Sequence, residues 1–145
     1  MNTHQHSQFM KLALKESKKA LPGCFPNPPV GCILVKNGVV IASGYTREPG
    51  LPHAEADALG QYLGALADVS AYVTLEPCSF HGRTPSCAQT LINRGIGHVY
   101  VAMRDPDPRN NGNGVAMLKN AGVMVTENMT PEAVSTFLSP YLSEP

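Results

Sequence analysis

The spacing that most restricts how this chain can fold lies between Pro52 and Cys87. His53-Ala54-Glu55 opens it, and Glu76-Pro77-Cys78 is followed, after eight intervening residues, by Cys87. One imidazole and two thiols form a three-ligand set for zinc, and three protein ligands leave the fourth tetrahedral position to water, which suits catalysis better than structure. Glu55 stands two residues past His53, so a proton carrier lies beside the metal without being spent as a ligand. A two-residue gap between the cysteines would gather both thiolates at one helix N-terminus, where amide dipoles lower their pKa. The longer gap needs another geometry. Ala71-Tyr72-Val73-Thr74-Leu75 is a short β-branched and aromatic run, which puts Cys78 at a strand end, while Pro85 and Ser86 introduce a helix with Cys87 in its first turn. The residues between them form a loop over the site.

Around that stretch the apolar periodicity alternates. Phe9, Leu12, Ala13 and Ala20 oppose Lys11, Lys15, Glu16, Lys18 and Lys19, predicting an amphipathic helix from Ser7 to Ala20 that Pro22-Gly23 ends. The proline-rich stretch Phe25 to Gly31 is a rigid non-helical loop. Asn27, its only polar side chain, either aims an amide at a ligand or bonds its own backbone in a turn. Gly31 to Lys36 and Val39 to Gly44 read as an antiparallel hairpin through Asn37-Gly38. A helix from His53 to about Leu66 follows, then a strand over 71–76, a helix from Pro85 stopped by Gly95, and a strand from His98 to Met103. A helix from Val115 to Ala121, a strand from Val123 to Thr126, and a helix from Pro131 to Leu142 capped by Thr130 complete the order. Strand and helix alternation implies parallel neighbours, right-handed crossovers and helices on both faces, hence a three-layer α/β/α domain on a mixed five-stranded sheet. Arg104-Asp105-Pro106-Asp107-Pro108 then leaves a strand end next to the cysteine loop.

Composition narrows the function. The 145 residues, 43% hydrophobic and 15% charged, read as a single domain over 1–145. Lys+Arg and Asp+Glu are both 11, so the chain lacks the positive charge that phosphate-backbone binding requires; a small-molecule substrate is expected and nucleic acid is not. Met1 to Ser7 is polar, and no apolar run reaches membrane-spanning length, so the expected location is cytoplasmic. In a reducing compartment Cys78 and Cys87 read as metal ligands rather than a disulfide, and Cys24 and Cys32 as small buried hydrophobes.

His-x-Glu followed by Pro-Cys and a second Cys is the pattern of zinc deaminases of amino-heterocycles, in which the Glu is the general acid/base. Zinc lowers the pKa of water from ~16 toward ~7. Glu55 accepts that proton and passes it to a ring nitrogen and then to the amino group, which leaves as ammonia. A structural zinc would need a fourth ligand, for which His81 is the one candidate. Arg83 and Thr84 offer a guanidinium and a hydroxyl to a phosphate.

Several stretches resemble the deaminase domain of the bacterial riboflavin-biosynthesis bifunctional deaminase–reductase: Pro26-Asn27-Pro28-Pro29-Val30-Gly31-Cys32, His53-Ala54-Glu55-Ala56, Tyr72-Val73-Thr74-Leu75-Glu76-Pro77-Cys78-Ser79, Gly82-Arg83-Thr84-Pro85 with Cys87, and Arg104-Asp105-Pro106. The resemblance implies a cytidine deaminase-like fold, one Zn2+ per chain and self-association as a homodimer or higher homo-oligomer. It also implies hydrolytic deamination of 2,5-diamino-6-ribosylamino-4(3H)-pyrimidinone 5′-phosphate, with Asn27, Arg83, Thr84 and Asp105 at positions that hold base, phosphate and ribose. Three positions depart from the family. Phe80 and Thr46 stand where it usually has His, and Asp107 where it has Asn, all on the substrate side. Asp107 also adds negative charge near a phosphorylated ligand, unfavourable unless a cation answers it. The first alternative is therefore a relative acting on another aminopyrimidine, pterin, purine-like base or nucleoside. A tRNA or single-stranded DNA deaminase would want a basic track and stacking aromatics. A non-catalytic zinc-binding protein is the third.

Overall fold

Asn37 and Gly38 both take positive φ, 52° and 75°, as the two central residues of a type I′ turn must. On that turn β1 (Gly31–Lys36) and β2 (Val39–Tyr45) close antiparallel, with Lys36 opposite Val39. The computed structural model describes residues 2–129 and 131–142. Among them β3 (Val69–Val73) pairs antiparallel with the other side of β1, and β4 (His98–Val101) and β5 (Met124–Glu127) continue in parallel. The result is an open, mixed five-stranded sheet in the order β2-β1-β3-β4-β5.

Two glycines fix which helix covers which face. A Cβ on Gly31 would meet the Ala13 carbonyl of α1 (Thr3–Ser17), whereas one on Gly44 would meet Ala54 and Ala58 of α2 (Ala54–Leu59). Gly44 pairs with Cys32, one residue from Gly31, so the period of two along a strand puts α1 and α2 on opposite faces. The helix α3 (Cys87–Asn93) packs against α2, and α4 (Asn113–Asn120) against α3 and β5. On the other face α5 (Pro131–Leu138) lies by the end of α1, where Lys18 sits over the Phe137 ring. Leu34, Tyr72, Val73, Val99 and Val101 form the buried middle layer. No helix among the described residues is long and apolar enough to cross a membrane.

Several boundaries differ from expectation. The first helix begins at Thr3, not Ser7, because Asn2 and Gln5 form a capping box at 3.0 Å in each direction. Its buried face is Met10, Ala13 and Ser17, and Leu12 is 42% exposed. The second helix stops at Leu59, since Gly60 and Gly64 interrupt it, and Leu63, read as part of its apolar face, is 89% exposed. Strand β3 ends at Val73, so Cys78 lies in the loop beyond it rather than at a strand end. That loop still finds backbone partners, Thr74 N donating to Gly31 O and Glu76 N to Met103 O. β4 ends at Val101, two residues early, and the last α-helix at Leu138, where Pro140 turns the chain into a 3₁₀ turn. Thr130, expected to cap that helix, lies outside the described residues. The pairing brings the start of β1 and the carboxyl ends of β2, β3 and β4 to one edge of the sheet, where the intervening loops meet.

Candidate metal and active site

His53 is the N-cap residue of α2, held in extended backbone, and Glu55 sits in the first turn, 4% exposed. Cys87 opens α3 behind Ser86, whose hydroxyl accepts from Gln89 N at 3.2 Å and donates to Cys78 O at 2.7 Å. The same helix start grips Cys78 twice more, Ala88 N donating to its carbonyl at 3.0 Å and Cys87 N to its Sγ at 3.2 Å. The ligand atoms of His53, Cys78 and Cys87 therefore lie within 4.8 Å of one another. Cys87 Sγ is 3.5 Å from His53 Nδ1, the separation of about 3.5 Å that a sulfur and a nitrogen take around tetrahedral zinc. Two thiols and an imidazole are also the soft donor set zinc prefers. The residues fit the ion. His81 is exposed and takes no part in this group.

Charge is shared unequally among these atoms. Hydrogen bonding from Cys87, and then from His53, holds the Cys78 thiol down to about 4 despite its burial. The Cys87 thiol is pushed well up by its bond to Cys78 and by burial, and His53 is raised by its bond to Cys78. Burial first, and the neighbouring Cys78 second, push the Glu55 carboxyl up to about 7.

A cavity of about 380 Å³ opens on the group, enough for a single small heterocycle. Asn27, Thr46, Phe80, Arg83, Thr84, Asp105 and Asp107, named from the sequence as candidate substrate contacts, all line it with the ligands and Glu55. Their side chains are committed differently. Thr84 Oγ1 lies 3.3 Å from His53 Nε2, so the imidazole is bracketed by that hydroxyl on one side and the thiols on the other. The Thr46 hydroxyl accepts from Val30 N at 3.1 Å and donates to Val30 O at 3.5 Å, which fixes the end of the Asn27 loop. Asp105 accepts from Asp107 N at 3.0 Å, and burial raises its carboxyl.

Arg109, which the sequence offers only as a loop residue and not as a site candidate, supplies the cation that Asp107 requires. Its Nη2 is 2.6 Å from Asp107 Oδ2, its guanidinium lies 4.8 Å from the centre of the Phe80 ring, and the pair holds the Asp107 carboxyl below its ordinary value. Glu76 and Asn110, both buried at the back of the same loops, were also missed. The available signal was a charged residue ending the apolar run at Leu75.

An open mixed sheet carrying a helix-start His-x-Glu against a Pro-Cys and a second helix-start Cys defines an α/β domain with a His/Cys/Cys group suited to zinc on the wall of a cavity. The chain belongs to the cytidine and deoxycytidylate deaminase zinc-binding family, whose sequence profile matches residues 3–103. It is 40% identical over 144 residues to the riboflavin biosynthesis protein RibD of Chlamydia muridarum, covering 99% of this chain and 39% of that protein. It superposes with a TM-score of 0.90 on the diaminohydroxyphosphoribosylaminopyrimidine deaminase/5-amino-6-(5-phosphoribosylamino)uracil reductase of Thermotoga maritima, at 39% identity, covering 96% of this chain and 40% of that one. A deaminase of Aspergillus oryzae, solved in complex with DARIPP, is similar at a TM-score of 0.72 and 26% identity over 85% of this chain and 83% of that one. The chain thus spans 39% of the Chlamydia relative's length.

Proposed function

We propose that the chain is a zinc-dependent hydrolytic deaminase of a small amino-heterocycle, with 2,5-diamino-6-ribosylamino-4(3H)-pyrimidinone 5′-phosphate of riboflavin biosynthesis as its substrate. One observation carries the reading: a buried carboxyl, raised to about 7, stands beside a His/Cys/Cys group on a cavity wall. His53, Cys78 and Cys87 hold one zinc ion, which when bound makes water nucleophilic near neutrality. Glu55 takes a proton from the attacking water, delivers it to the ring nitrogen beside the amine-bearing carbon, and then protonates the leaving amino group. The C–N bond is exchanged for C=O, one water is consumed and one ammonia released. A carboxyl titrating near the working pH serves in both directions.

The remaining roles follow from position. In the tautomer that carries its proton on Nε2, His53 donates from Nε2–H to the Thr84 hydroxyl oxygen at 3.3 Å, which leaves the Nδ1 lone pair, 3.5 Å from Cys87 Sγ, free to hold a metal. The exposed Arg83, with Thr84, meets the phosphate, and Asn27 and Asp105 hold the base and ribose. Phe80 gives the opening an apolar side with Arg109 above it. The protein works in the cytoplasm as a homodimer or higher homo-oligomer, which light scattering tests.

Glu55→Gln is expected to lower ammonia release by about 10²–10⁴-fold while zinc stays near one per chain; unchanged turnover removes Glu55 from the mechanism. A second reading, deamination of another aminopyrimidine, is favoured by Thr46, a cavity-lining residue whose hydroxyl is engaged with the Val30 backbone. An ammonia-release panel of phosphorylated and unphosphorylated aminopyrimidines, pterins and nucleosides separates the two. An inert diaminopyrimidine phosphate beside an active neutral compound rejects the pathway assignment.

A further inference from the structure

We propose that Glu76 is a positioning residue that builds the substrate-side wall by clamping the segment 105–115 to the cysteine loop; the inference rests on the site reading above. Glu76 is 3% exposed, yet it ends in a carboxylate. Oε1 accepts from Asp105 N at 3.1 Å and Gly112 N at 3.0 Å, and Oε2 from Val115 N at 2.9 Å. All three donors are backbone amides of one segment, the one that carries Asp105, Asp107 and Arg109 to the cavity. The N-cap position of α4 is Gly112, which has no side chain to cap the helix, so Glu76 supplies the cap from another loop and places its charge at the positive helix end.

The same segment reaches back to the ligand loop. Asn110, fully buried, donates from Nδ2 to Pro77 O at 3.3 Å and accepts at Oδ1 from Ser79 N at 2.9 Å, bracketing Cys78. Gly114 packs so closely on Pro77 that a Cβ there would lie 1.9 Å from the Pro77 carbonyl oxygen. A three-point grip through one carboxylate fixes the orientation of the wall, because backbone amides cannot be satisfied by a shifted rotamer. A residue serving only to fill the core at the end of an apolar run would be apolar, since burying a carboxylate is costly.

Glu76→Gln keeps the shape but offers one acceptor oxygen, and its amide group faces at least one N–H donor head-on. Gly112→Ala keeps Glu76 and strains the gripped turn, whose φ is +81°. With the substrate that the wild type turns over, E76Q is expected to raise KM by about 10-fold or more with kcat within about 3-fold, the pattern of lost uniform binding, and to retain zinc. G112A is expected to shift KM the same way by less, and decides the matter if E76Q does not fold. KM within about 2-fold of wild type, with only the melting temperature lowered, overturns the proposal. Should the wild type deaminate nothing, the proposed function fails separately and amide exchange judges the clamp: Gly112 and Val115 must exchange about 10-fold faster in E76Q than in wild type, since protection reports local opening, and equal rates overturn it.

Discussion

Glu55 is the residue whose environment carries the most consequence. Its carboxyl titrates at about 7 in the fold against an ordinary 4.5, so between those values the folded chain holds a proton that the unfolded chain has released. Stability then falls as pH rises through that window and stays reduced above it. Zinc-stripped Glu55→Gln is expected to exceed the zinc-stripped parent in stability at about pH 8, the advantage vanishing near about pH 4. Urea midpoints at the two pH values check this, and a difference independent of pH would exclude burial of the charge as its origin. His53, Glu55, Cys78 and Cys87 were legible in the sequence because ligand chemistry is a property of residue type and pattern. Arg109 was not, since its local ion pair with Asp107, two residues away, becomes part of the site only when the Phe80 face of another loop is brought against it.

Elements meet here at close approaches that a single carbon would block. At Gly31 a Cβ would stand 1.9 Å from the Ala13 carbonyl oxygen, where α1 crosses β1. Neither partner is a flexible side-chain end, so α1 must lift or β1 must bend. Gly31→Ala is expected to destabilise the protein by about 1–3 kcal/mol or more, read as a lower urea midpoint, and an unaltered midpoint means that α1 does not sit against β1 as described. The Asn37-Gly38 hairpin stands as expected, and Cys87 lies in the first turn of its helix as expected, although that helix starts at Cys87 behind the Ser86 cap and not at Pro85. The second helix does not stand as expected. Leu59 and Leu63 keep helical spacing, but the glycines at 60 and 64 remove the propensity that would carry the helix between them, and the chain leaves Leu63 in solvent.

At the scale of the molecule the site is a junction. His53 comes from the start of α2, Cys78 from the loop after β3 and Cys87 from the start of α3, so a metal held by all three joins parts of the chain that the unfolded state keeps apart. Ligand that binds only the folded state stabilises it by mass action. Removing zinc with a chelator is expected to lower the melting temperature reversibly, and recovery on adding zinc but not magnesium checks the soft donor set. A melting temperature indifferent to both treatments would leave the three side chains without a metal.

The sequence by itself determined the alternation of strands and helices, the Asn37-Gly38 hairpin, and the His53, Cys78 and Cys87 that cluster in the fold with Glu55 beside them. Each follows from rules acting within a turn, a strand period or a motif. Only the tertiary structure decided that Thr46 turns to Val30, that Arg109 lies over Phe80, and that Glu76 holds Val115 across 39 positions of chain. Hydrogen bonds between distant segments depend on which loops the sheet order gathers at one edge, and no local pattern of residues encodes that choice.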